Sequence, residues 1–242
     1  PMPTKEKSAL LLGSSYSAIP ILRSLKSRGI KVIVCGNDKY DPCHQHSDIS
    51  IFVDYSIIEE VVNIYQELSP DYLIPSCNDI SYNTASIISD SFGLLPGFDV
   101  RNTTSTLHSK ELLREFLHAN DLPSPQTYTV SDALSRISPQ HPLIVKPVDS
   151  TSGKGIKVVH NRSSLLQSIN YAKSHSSCGN YLIEDFIDGR LVSHSAFIYQ
   201  GVIQTDFFVD EYCTTYEFQV NCSCHPSSLT DEQKQSIRNT IV

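Results

Sequence analysis

The sequence predicts an α/β chain in two parts, a parallel-sheet unit followed by an α+β unit with an antiparallel sheet. Three observations predict it. From Ala9 to Phe92, short apolar runs alternate with amphipathic stretches at the spacing of strand–helix–strand units. Leu143–Ile156, reading LIVKPVDSTSGKGI, sets a glycine-rich loop between two strands. Leu191–Tyr199 and Val202–Val209 then read as an antiparallel pair joined at Gln200-Gly201.

Composition bounds what such a chain does. Its 242 residues suffice for one large or two small domains, and 40% hydrophobic with 19% charged residues makes it globular. A net charge of −7 argues against a broad nucleic-acid surface. No apolar run reaches membrane-spanning length and no signal peptide is visible. Seven scattered cysteines without a CxxC pair read as reduced thiols, which points to the cytoplasm. Pro1 ahead of Met2 reads as a tag-cleavage scar.

In the first unit, Ala9–Gly13 is a strand, and a helix from about Ala18 to Arg28 carries Ile19, Leu22 and Leu25 on one face before Gly29. Lys31–Gly36 and Ile49–Asp54 are strands, and Ile57–Leu68 is an amphipathic helix that stops before Pro70. Tyr72–Cys77 is a fourth strand, with Asn78-Asp79 capping a helix that runs to about Phe92. A dinucleotide site wants three glycines in the first turn, and GSSYSA offers only Gly13. Cys43-His44-Gln45-His46 lacks a second ligand cluster and is read as a solvated loop.

Pro96-Gly97 marks a turn, and a helix from about Ser105 to Ala119 carries Lys110. Asn120–Pro125 breaks the chain, Gln126–Val130 is a strand, and Asp132–Ile137 a short helix. In the glycine-rich stretch, Gly153 and Gly155 allow positive φ and close approach of backbone N–H groups to an anion. Lys146 and Lys154 supply positive charge for phosphate. The plain alternative is a surface hairpin with incidental lysines. Ser163–Ser174 is a helix. Tyr181–Ile187, YLIEDFI, puts Glu184-Asp185 inside an apolar run, and acids there either lie in water on an edge strand or have partners. Cys222 and Cys224 alternate onto one face of a strand, and Thr230–Val242 begins a helix.

Three features now stand in series: Lys110 before a Pro-punctuated linker, Val145-Lys146-Pro147 with STSGKGI behind it, and IEDFIDG at Ile183–Gly189. This order resembles the ATP-grasp superfamily of ATP-dependent ligases, most of all the carbamoyl-phosphate-synthase-like and purine-biosynthetic carboxylate–amine ligases. The resemblance runs from about Ser8 onward. It implies a Rossmann-like (pre-ATP-grasp) domain at 1–100, a linker and helix at 101–125, and an ATP-grasp nucleotide-binding region at 126–242, incomplete at its C-terminal end. Lys110 and Lys146 would then reach the nucleotide phosphates. Ser152, Gly153, Lys154 and Gly155 would close over them, and Glu184 to Ile187 would line the adenine, with the backbone of Asp185, Phe186 and Ile187 reading its edge.

The implied chemistry is phosphorylation of a small-molecule carboxylate to an acyl phosphate, which an amine attacks, with ATP and Mg²⁺ as cofactors. Nucleic acid and membrane are not among the implied partners, and a homodimer is compatible with the resemblance. Two departures stand out. Leu191 occupies the place of a ribose-binding glutamate, a loss worth roughly 1.5–3 kcal/mol of charge-assisted hydrogen bonding that Asp188 or Glu217 could offset. The expected metal ligands lie beyond Val242. Asp206, Asp210, Glu211 and Glu217 are the late acids that could replace them, and they are not expected to. The chain as given is therefore expected to bind nucleotide without turning it over. A non-catalytic nucleotide-binding module is the first alternative, and a dinucleotide-dependent oxidoreductase the second.

Overall fold

The computed structural model describes residues 6–93, 95–150 and 153–241. The chain divides into two compact units, Pro1–His108 and Ser109–Val242. The division falls inside the segment 101–125 that the sequence assigns to a linker and helix.

In the first unit, β1 (Ser8–Leu12), β2 (Lys31–Cys35), β3 (Ile49–Ile51) and β4 (Tyr72–Pro75) form a parallel sheet in the order β3-β2-β1-β4. Alternation along each strand explains why both faces are covered. Leu10, Leu12, Ile33 and Cys35 pack with Val61 of α2 (Ile58–Leu68) and with Ala85 and Ile88 of α3 (Asp79–Ser91). Leu11, Val32 and Val34 face the other way, onto Leu22 of α1 (Ile19–Ser27). The expected cap holds, since the Asn78 side chain accepts the Ser81 N–H at 2.9 Å. The Cys43 stretch departs from expectation. It is a short 3-10 turn, Pro42–Gln45, and Cys43 is fully buried in the Leu11 cluster rather than solvated. Burial pushes its thiol pKa up.

The helix expected over Ser105–Ala119 is two, α4 (Arg101–His108) and α5 (Lys110–Ala119). Ser109 is extended, with φ −102° and ψ 117°, and its hydroxyl accepts the Leu112 N–H at 3.3 Å. An N-cap serine inside an apolar periodicity restarts the helix there.

The second unit holds two antiparallel sheets. One runs β6 (Lys157–Val159), β5 (Leu143–Pro147), β7 (Tyr181–Asp185); the other runs β10 (Cys222–Cys224), β9 (Val202–Tyr212), β8 (Leu191–Tyr199). Leu143 and Val145 of β5 and Ile183 of β7 point into a core shared with Ala133 and Ile137 at α6 (Val130–Arg136) and with Leu165, Ile169 and Ala172 of α7 (Arg162–Ser174). Gln126–Val130 is not a full strand. Thr127 makes one bridge to Glu184, and the Thr129 hydroxyl then caps α6 by accepting the Asp132 N–H at 3.3 Å. Pro147 stays within β5, opposite Tyr181. The pairing with β6 has ended at Val145, so the missing N–H costs no ladder bond on that side. β9 runs three residues past the expected Val209 because Asp210, Glu211 and Tyr212 pair with β10.

A final helix, α8 (Asp231–Ile241), is pinned to the second sheet. Asp206 of β9 accepts Arg238 Nε at 2.6 Å and Nη2 at 3.1 Å, and lies 2.8 Å from His194 Nε2. All seven cysteines are free. Among the described residues no helix is long and apolar enough to cross a membrane.

Candidate functional site

The faces of β5 and β7 that turn away from the core carry Ile144, Lys146 and Glu184. In the ladder Ile144 lies directly opposite Glu184, which sets Lys146 diagonal to it on the same face. These side chains open on a cavity of about 750 Å³, lined also by Asp185, Phe186 and Ile187, by Leu191 of β8, by Glu211 and Tyr212 of β9, and by Glu217 and Phe218.

Glu184 is 1% exposed, so the acid inside the apolar run is not an edge residue in water. Its carboxylate has two cations. Lys146 Nζ lies 2.5 Å from Oε2, and Arg114 Nε, from α5, lies 2.7 Å from Oε1. A buried carboxylate needs such compensation, because desolvating an unpaired charge is costly. Arg114 was not a sequence candidate. Its signal was its place one turn after Lys110 on the same helix face.

The segment after Glu184 narrows an expectation. The Asp185 N–H is given to Gln126 O at 3.0 Å and the Phe186 N–H to Pro142 O at 3.2 Å. Within the described residues only the Ile187 N–H of these three is left to donate to a ligand, because pairing with neighbouring backbone takes the other two. The Asp185 carboxylate is also engaged, accepting the Tyr128 hydroxyl at 3.1 Å and pairing with Arg136 at 3.3 Å. Burial, and then Asp185, pushes the Tyr128 phenol pKa up.

Of the glycine-rich loop, the described residues Gly153, Lys154 and Gly155 lie beside this cavity rather than in its wall. Gly153 and Gly155 have φ of +73° and +79°. A Cβ on Gly153 would meet the Phe218 carbonyl at 2.8 Å, so the loop rests against the turn that carries Glu217 and Phe218. A Cβ on Gly155 would strike Pro147 and His175 at 2.6 Å. Lys154 is exposed, and Ser152 lies outside the described residues. Lys110 Nζ donates to Val148 O at 3.2 Å and Ser150 O at 2.9 Å, which ties it to the base of the loop. The Asp149 carboxylate accepts the Ser177 hydroxyl and the Ser177 and Cys178 N–H groups, and these bonds hold its pKa well below the usual carboxylate range.

Of the ten residues marked by sequence, the cavity wall gathers Lys146 and the run from Glu184 to Ile187. Leu191 is 48% exposed in that wall and faces Glu211 in register. The side chains of Glu211 and Glu217 make no hydrogen bond or ion pair within the described residues, whereas Asp210 is taken by Ser227 at 2.5 Å and Ser228, which lower its pKa to about 2. By strand alternation Asp206 shares the face of Asp210, opposite to that of Glu211, and is engaged with Arg238. Among the described residues no three His, Cys, Asp or Glu side chains gather as a metal site. The cavity offers a cationic end at Lys146 and an apolar flank from Ile144, Phe186, Ile187, Leu191 and Phe218. That combination suits a planar ring joined to an anion.

Residues 107–237, more than half of the chain, match the ATP-grasp domain family. The formate-dependent phosphoribosylglycinamide formyltransferase of Prochlorococcus marinus (strain NATL1A) is 26% identical over 246 residues, covering 97% of this chain and 62% of that protein. The enzyme of the same name from Synechococcus sp. (strain CC9311) is 27% identical over 238 residues, covering 95% and 60%. The chain thus spans about three-fifths of the length of these curated relatives. Among solved structures, an ADP complex of N5-carboxyaminoimidazole ribonucleotide synthetase superposes with a TM-score of 0.78 at 17% identity, covering 98% of this chain and 62% of that one. The biotin carboxylase domain of the Hydrogenobacter thermophilus 2-oxoglutarate carboxylase, solved with MgADP, ADP and bicarbonate, gives 0.81 at 16% identity over 97% and 56%. At these identities the structures establish a common fold.

Proposed function

This chain belongs to the ATP-grasp domain family, and from that premise we propose that it is the ATP-binding portion of an ATP-dependent carboxylate–amine ligase. The observation that carries the proposal is the shared cavity of Lys146 and the Glu184–Ile187 segment, with the glycine loop at its side. In this reading the adenine lies along Phe186 and Ile187 and its edge accepts the Ile187 N–H. Lys146 offers the N–H donors not used on Glu184 to the phosphates. Lys110 holds the base of the glycine loop, which in this reading closes over the same anion.

The reaction follows from the class. A carboxylate oxygen forms a bond to Pγ as the bond from Pγ to the bridging oxygen breaks and ADP leaves. The amine nitrogen then attacks the acyl carbon, phosphate departs, and the nitrogen loses a proton. This chain's residues contribute by orienting the nucleotide and neutralising its charge, which lowers the barrier without covalent participation. The substrates are small molecules, and the protein acts in the cytoplasm, with a homodimer as its assembly.

A second reading, a nucleotide-binding module without catalysis, is favoured by one observation, the apolar Leu191 in the cavity wall. Hydroxylamine separates the two, because it traps acyl phosphates as hydroxamates. A chain of the relatives' full length, given ATP, Mg²⁺, hydroxylamine and a panel of carboxylates, is expected to form a hydroxamate with one of them. ADP binding without hydroxamate from any would favour the non-catalytic module.

A further inference from the structure

We infer that Arg114 is a positioning residue that keeps the cationic end of the cavity net positive, so that Lys146 can serve an anionic ligand. The inference rests on the nucleotide reading above. Glu184 is buried and its carboxylate touches two cations, Lys146 at 2.5 Å and Arg114 at 2.7 Å. Two positive charges on one negative charge leave a net charge of one. With Lys146 as the sole partner, the pair would be neutral, and the attraction of a buried carboxylate would hold the ammonium to itself. Arg114 takes Oε1, which confines Lys146 to Oε2 and leaves the lysine's other N–H donors for a ligand.

Arg114 does not line the cavity. It reaches Glu184 from α5, and its outer side borders a separate hollow with Glu111, Glu115 and Asp132. Those three acids are exposed, so water screens them from the buried trio. Arg114 therefore acts through Glu184 and not by touching a phosphate. An ordinary structural brace would support adenosine and ADP binding alike. A charge-setting residue supports only the ligand that carries phosphates.

The test is calorimetric titration of the 242-residue chain with ADP and, separately, with adenosine, with thermal melts to establish folding. Arg114→Met is expected to weaken ADP about 10- to 100-fold, as loss of one nearby unit charge at intermediate dielectric implies, and to leave adenosine within about twofold. Arg114→Lys is expected to restore most of the loss. Arg114→Met with Glu184→Gln returns the trio to a net charge of one and leaves no buried unpaired acid. It is expected to bind ADP more tightly than Arg114→Met alone, and it carries the test if the single variant does not fold. Equal loss of ADP and adenosine, unchanged ADP affinity in Arg114→Met, or a folded double variant that binds adenosine and not ADP would overturn the inference. Wild-type protein that binds adenosine and not ADP would overturn it too, with the phosphate assignment of Lys146. Wild-type protein that binds neither would sink the nucleotide reading itself.

Discussion

Glu184 shows what single residues carry here. Its place in an apolar strand announced a need for partners, and Lys146 was legible as one because both lie in strands whose alternation is plain. Arg114 was not, since it lies seventy residues upstream and only tertiary packing brings it to the carboxylate. Glu211 was hidden for the same reason. It faces Leu191 across a hairpin register that a bulge at Phe197/Ile198 shifts, and no local pattern gives that register. On the proposed nucleotide reading we assign a ribose hydroxyl to Glu211, because it lines the cavity and lies opposite the apolar Leu191 in register. Glu211→Gln is expected to weaken ATP by roughly 1.5–3 kcal/mol while changing 2′-deoxy-ATP less, as read by competition binding. Equal losses for both nucleotides would remove Glu211 from the ribose. Asp206 makes a second residue-scale prediction. Arg238, and then His194, hold its carboxyl at about 2, below the unfolded value near 4. Folding thus favours the ionised form. Its contribution is complete above about pH 4 and is lost as pH falls toward 2. Acid titration of the helical signal should show α8 loosening in that window, and Asp206→Asn should remove the dependence.

At the scale of elements, the strands and their pairing were readable wherever periodicity was unbroken, as in β1, β2, β5 and β7. Boundaries failed where a hydroxyl side chain competed for backbone N–H groups. Ser109 splits one apolar periodicity into α4 and α5, and Thr129 starts α6 where β-branched residues suggested a strand. The glycine loop was legible as a strand–loop–strand element, and its glycines do adopt the left-handed backbone that the loop requires. Gly155 is the stricter of the two, since an added Cβ strikes Pro147 and His175 as well as straining φ. Gly155→Ala is expected to cost on the order of 1–3 kcal/mol in denaturant unfolding. Gly179→Ala shares the positive φ without the clash and should cost less. Equal costs would show that strain alone governs both positions.

For the whole molecule, a parallel sheet followed by antiparallel pairing follows from the order of apolar runs, while the division of that pairing into two separate sheets does not. The substrate was beyond reach, because nothing in the composition or the cavity wall names a particular carboxylate. A net charge of −7 also makes anion binding a local matter, resting on a few partly buried cations against the molecule's general field. The most direct measurement is therefore calorimetric titration of a non-hydrolysable ATP analogue into wild-type chain and into Lys146→Met. Saturable one-to-one binding to wild type, lost in a variant that melts at the same temperature, is the expected result. Affinity unchanged by removal of the Lys146 ammonium would contradict the account.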